Sequence, residues 1–179
     1  MRNHGAMRSA ALALLGSLLV ALVAASAARA VVDGGTIHVN RGAVGITLGM
    51  RRSAVVDELG QPIYENQNGY MQYSENNIFD VYLNGRNRVR LLGISGEDFC
   101  LQSGICMFTK NGVKKLRAQF GDRLKEVQLE TGETTLVVRG RFHDHRVFTA
   151  FDPTRVRDRA KIIMIWVGRC PPKPATCGA

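Results

Sequence analysis

Hydrophobic and polar positions change their spacing several times along this chain, and each change predicts an element. From Arg51 to Leu59 the apolar residues Val55, Val56 and Leu59 fall at i, i+1 and i+4, the spacing of a short amphipathic helix. Gly60 stands where a helix C-cap belongs, and Pro62 blocks continuation. The spacing then changes to strands. Ile63–Asn66 is short, Tyr70–Tyr73 follows the turn signal Asn68-Gly69, and Ile78–Leu83 alternates strictly. Asn84-Gly85 supplies a hairpin turn, and Arg88–Ile94 returns. The same succession begins again at Asn111–Phe120, a second helix with Val113, Leu116 and Phe120 on one face, ended by Gly121-Asp122. Strand patterns follow at Leu124–Leu129, Thr134–Arg139, Arg146–Phe151 and Ala160–Val167.

The expectation is an α+β fold: two tandem helix-plus-antiparallel-meander units forming one compact domain. Each unit alone buries too little apolar surface to stand by itself. The expected boundaries are a lead-in over 31–42, with a short strand at Thr36–Asn40, unit one over 43–99, unit two over 100–168, and a Pro-rich tail over 169–179.

The opening thirty residues change the picture. Arg2 and Arg8 precede an Ala- and Leu-rich run over 9–28, and Ala28-Arg29-Ala30 closes it. A basic start, an apolar middle and a small-x-small end form a cleavable signal peptide, which predicts export to the periplasm or the medium. The longest later apolar run, Ile162–Val167, is strand length, so no transmembrane helix is expected in the mature chain. The signal carries three arginines and no acid, so its removal lowers the net charge from +9 to +6. An even number of cysteines in an exported chain reads as disulfides. Of the three possible connectivities, Cys100–Cys106 with Cys170–Cys177 is preferred, because each pair closes a short loop rich in turn residues. Neither pair has the C-x2-4-C spacing of a structural zinc site.

Gly45-Ile46-x-Leu48-Gly49-Met50-x-x-Ser53-x-Val55-x-x-x-Leu59-Gly60-x-Pro62 resembles the repeat opening of two groups. One is the β-lactamase-inhibitor-protein-like fold, and the other is the SmpA/OmlA-type lipoproteins of bacterial outer-membrane assembly. The resemblance implies a bacterial envelope or secreted protein, doubled like the inhibitor proteins. It covers most of residues 43–168. The second unit has Thr109-Lys110-Asn111 in place of the Leu-Gly-Met stretch. The motif concerns packing and capping, so it carries over no catalytic residue. The first cysteine is Cys100, and the absent lipid-anchor cysteine argues against a direct counterpart of the assembly lipoproteins.

Candidate chemistry is sparse. There is no G-x-S-x-G elbow and no phosphate-loop lysine. The carboxylate pairs Asp57-Glu58 and Glu97-Asp98 are sequence neighbours that do not face each other. No cofactor, metal or catalytic residue is therefore expected, and the chain reads as a non-enzymatic binding domain. Export without an aromatic-basic RNA motif argues against nucleic acid. His143-Asp144-His145 reads as a polar turn more readily than as the start of a metal site.

Two surface patterns remain. If Phe79, Val81 and Leu83 face the helices, Asp80 and Tyr82 face outward, and Tyr64, Tyr70 or Tyr73 can join Tyr82 on an open sheet face. Tyrosines there suit a protein interface, offering large area and a polar tip. Arg86, Arg88 and Arg90 alternate, as do Arg155, Arg157, Arg159 and Lys161, and in strands each set shares one face. The candidate interface is thus Tyr64, Tyr73, Tyr82, Arg86, Arg88 and Arg90. The expected partner is an envelope or secreted protein. The alternative is an anionic glycan or lipid held by the basic stripes.

Overall fold

The computed structural model describes residues 31–169. The signal segment, Cys170, Cys177 and the Pro-rich tail lie outside the described residues. Strands β1 (Gly34–His38), β2 (Gly42–Ala43) and β3 (Ile46–Thr47) come first, then helix α1 (Arg52–Leu59). Next come β4 (Tyr64–Glu65), β5 (Tyr70–Gln72), β6 (Ile78–Leu83), β7 (Val89–Ser95) and β8 (Asp98–Leu101). Helix α2 (Gly112–Phe120) precedes β9 (Leu124–Gln128), β10 (Thr134–Phe142), β11 (His145–Pro153) and β12 (Ile162–Arg169).

Strands dominate this α+β architecture, and they form two sheets. The large one has eight strands in the order β4-β5-β6-β7-β12-β11-β10-β9, antiparallel throughout. Its centre is the β7–β12 pair, the last strand of each four-strand run, with Leu92 opposite Val167 and Gly93 opposite Trp166. The small sheet has the order β3-β2-β1-β8, in which β1 and β8 run parallel. The small sheet is a departure from the sequence-based expectation, which placed a single strand, Thr36–Asn40, before the first helix and a plain boundary between residues 99 and 100.

Local chemistry accounts for the turns. In two hairpins an Asn side chain does the same work: Asn66 Oδ1 accepts from the N–H of Asn68 and Tyr70, and Asn84 Oδ1 accepts from the N–H of Arg86 and Arg88. Each loop then needs one left-handed residue, supplied by Gly69 (φ 77°) and Asn87 (φ 53°). Gly60, at φ 80°, donates its N–H to the Val56 carbonyl and ends α1 as its position suggested.

One contiguous core lies between one face of the large sheet, the two helices and the small sheet. Phe79, Val81 and Leu83 of β6, Leu92 and Ile94 of β7, Leu136 and Val138 of β10, Phe151 of β11, and Ile165 and Val167 of β12 meet Val55, Leu59, Val113 and Leu116 there. Each fully buried aliphatic or aromatic side chain contributes about 1.5–3 kcal/mol relative to exposure. Cys100 and Cys106 lie within β8 and its following loop, their sulfurs 1.96 Å apart, the distance of a disulfide. No described helix is long and apolar enough to cross a membrane.

Candidate functional site

Among the described residues, the second face of the large sheet has neither helix nor small sheet against it. Its residues follow from register. On β6, Asp80 and Tyr82 alternate with the core residues and therefore point to this open face. Tyr70 stands opposite Tyr82, and Tyr64 stands opposite Gln72 on the edge strand. Trp166 on β12 stands opposite Gly93 on β7. Gly93 is needed there, because a Cβ would come within 2.8 Å of the indole. The missing side chain lets Trp166 lean across β7 toward β6.

The result is an unbroken row of four rings. Tyr64 and Tyr70 centroids are 6.0 Å apart, Tyr70 and Tyr82 5.2 Å, and Tyr82 and Trp166 6.3 Å, all with tilted planes. These are favourable aromatic separations. Tyr64 is the most exposed, at 53 %. Leu91 and Phe148, packed over Gly168, extend the apolar surface beyond Trp166.

Two carboxylates share this face and are held differently. Asp152 has both oxygens occupied: Thr135 Oγ1 donates to Oδ1 at 2.5 Å, and Trp166 Nε1 donates to Oδ2 at 2.8 Å. It fixes the indole. Beside it lies a depression of about 460 Å³ bounded in part by Thr135, Asp152, Met164 and Trp166. Asp80 accepts one bond, from Tyr70 Oη to Oδ1 at 3.1 Å. Burial raises the Asp80 carboxyl above the usual carboxylate range, with the Tyr70 hydrogen bond opposing. Burial also pushes Tyr70 up to about 12, helped by Asp80, and raises Tyr82, where Arg90 works against burial.

Of the residues expected on this face, Tyr64 and Tyr82 are there, and Tyr70 stands between them. Tyr73 is not. Its ring is fully buried in the core, with Oη donating to the Gly60 carbonyl at 3.3 Å. The reason is parity: Tyr73 shares the face of Met71, an odd number of residues from Tyr70. Burial pushes Tyr73 up to about 12 as well.

The arginines do not form the expected stripe. Arg86 sits in the hairpin turn and Arg88 points its Nη1 to the Gly49 carbonyl at 2.9 Å. Arg90 falls at an irregularity in the β6–β7 register, and its charge acts on Tyr82. The second set, Arg155, Arg157, Arg159 and Lys161, is not a strand but a loop between β11 and β12. There it converges on a cavity of about 430 Å³ lined also by Thr154 and Ala160.

Sequence reasoning missed Trp166, because Ile162–Val167 is apolar on both faces and alternation gives no side. The signal was across the sheet, in the glycine at 93. His143 occupies a tight turn at φ 51°, with its ring 4.4 Å from that of Phe142. Among the described residues no group of three or more His, Cys, Asp or Glu side chains could hold a metal ion. Comparison of the chain with models of known protein families, with curated proteins and with solved structures returns no match.

Proposed function

We propose that this chain is an exported, non-enzymatic domain that binds another protein through the open face of its large sheet. The observation that carries the reading is the row Tyr64–Tyr70–Tyr82–Trp166, flanked by Leu91 and Phe148 and uncovered by any other described element. Tyr and Trp anchors dominate protein interfaces, because they offer large rigid area with a polar tip. The succession of helix and four strands, twice over, with β7 and β12 meeting at the centre, supports a doubled unit. The disulfide-distance pair and the signal-like opening segment support export.

Affinity capture from envelope and secreted extract, with captured proteins identified by mass spectrometry, tests this reading. Wild type is expected to retain a defined partner that a Tyr64→Ala/Tyr82→Ala variant loses. Equal recovery by both removes the face from consideration.

The cationic loop over 154–161 favours a second reading, binding of an anionic glycan or lipid headgroup. Four cationic side chains converge on one cavity there. That binding is expected to weaken steeply with salt, since exposed charges are screened within about 10 Å at 0.1 M. Salt-resistant binding sinks it.

A further inference from the structure

We propose that Asp80 is the recognition point for a guanidinium or ammonium side chain of the bound protein, which enters the open face beside Tyr70 and Tyr82 and pairs with the unoccupied carboxylate oxygen. The inference rests on the open face being the binding face, and adds what the partner presents to it.

The contrast between the two carboxylates on this face is the first observation. Asp152 is filled by Thr135 and Trp166 and serves the fold. Asp80 has one bond, from Tyr70, and its Oδ2 has no hydrogen-bond partner. That oxygen is not among the sealed polar atoms, so it is open to an incoming group.

Charge is the second observation. In a chain of formal charge +9, Asp80 has no Lys, Arg or His within ion-pair distance among the described residues. Arg90 acts on Tyr82, on the same face, without pairing with Asp80. A half-buried carboxylate without a cation is unfavourable for the free protein, and a partner's cation relieves it.

Shape is the third observation. Rings beside a carboxylate suit an organic cation, which gains both charge pairing and attraction to ring faces. Tyr82 lies between the Tyr70 and Trp166 rings, at 5.2 and 6.3 Å, and Tyr70, which donates to Asp80, begins this run of three contiguous aromatic groups. An anion or a wholly apolar group would leave the Asp80 charge uncompensated. A docked protein surface with a protruding Arg or Lys answers all three features.

The chain has a single tryptophan, Trp166, so its emission reads this face directly. Acetyl-Gly-Arg-Gly-amide is titrated into the full chain at constant ionic strength, with acetyl-Gly-Gln-Gly-amide as the neutral control. A saturable change in emission is expected with the arginine peptide, at least tenfold weaker with the glutamine peptide and in Asp80→Asn. Asp80→Asn keeps the size of the side chain and an acceptor for Tyr70, and circular dichroism verifies that it folds. Equal responses to both peptides, or an undiminished response in Asp80→Asn, overturn the proposal. The capture experiment separates the two ideas. If Asp80→Asn retains the partner fully while Tyr64→Ala/Tyr82→Ala loses it, the face binds protein and the cation inference falls.

Discussion

The two faces of the large sheet are made by the same strands and obey opposite rules. On the closed face, Phe79, Val81, Leu92, Ile94, Val138, Phe151 and Val167 are almost wholly removed from solvent and meet helices and the small sheet. On the open face, alternate positions of those strands carry Asp80, Tyr82, Gly93 and Trp166. The closed face is aliphatic and aromatic, and its one tyrosine, Tyr73, spends its hydroxyl inward on the Gly60 carbonyl. On the open face every ring of the row ends in or carries a hydrogen-bonding group. On the proposed function, the difference teaches that stability and recognition are separated by residue parity rather than by domain. A substitution on one side is expected to alter folding and spare binding, and on the other to do the reverse.

The largest test of that separation is on the closed side. Phe79→Ala is expected to cost about 3–5 kcal/mol in denaturant unfolding, while the molecules that remain folded keep their emission response. Next comes Tyr73, the tyrosine that parity sends inward. Its folded-state pKa is raised above the unfolded value of about 10 to about 12, chiefly by burial. Its contribution is therefore fully present below pH 10 and lost as pH rises through about 12. Stability measured across that window is expected to fall less steeply in Tyr73→Phe, by about 2–3 kcal/mol.

Gly93→Ala acts on the open face. Its new Cβ displaces Trp166, which is expected to cost about 1–3 kcal/mol and to shift Trp emission in the same sample. Tyr82→Ala removes two ring contacts and is expected to cost about 1 kcal/mol while abolishing partner capture. The smallest stability effect is expected for Asp80→Asn. Because the Asp80 carboxyl is raised in the fold, its ionisation works against stability as pH rises through its range, so the asparagine is expected to be neutral or stabilising within about 0.5 kcal/mol in thermal unfolding. A large loss of stability in Asp80→Asn, or unimpaired binding in Tyr82→Ala, breaks the separation.

Much of this was legible in the chain. The span Ile78–Leu83 is observed as read, and both helices begin one residue later than read, at Arg52 and Gly112. Their apolar spacing and their terminating glycines are local signals, and local signals survive folding. The small sheet was not legible. β2 and β3 are two residues each, and β1 pairs with β8 across Gly34–Asp98 and Ile37–Leu101, far apart in sequence. The alternation Arg155-x-Arg157-x-Arg159-x-Lys161 misled, because alternation alone lacks the apolar face that would hold a strand to the core. At the site, parity already separated Tyr70 from Tyr73. Trp166 needed knowledge of what lies opposite it.

The pairing of β7 with β12 has a consequence for how the molecule is made. Sixty-six residues separate Ser95 from Ile162, so a growing chain presents the first meander long before its neighbour arrives. Until then β7 has one satisfied side and one bare ladder of amide and carbonyl groups, the kind of margin that recruits stray strands. A second molecule's β12 fits that margin as well as its own. Interrupted synthesis or refolding at high concentration is therefore expected to yield dimers that have exchanged their second halves, each rebuilt around two borrowed seams.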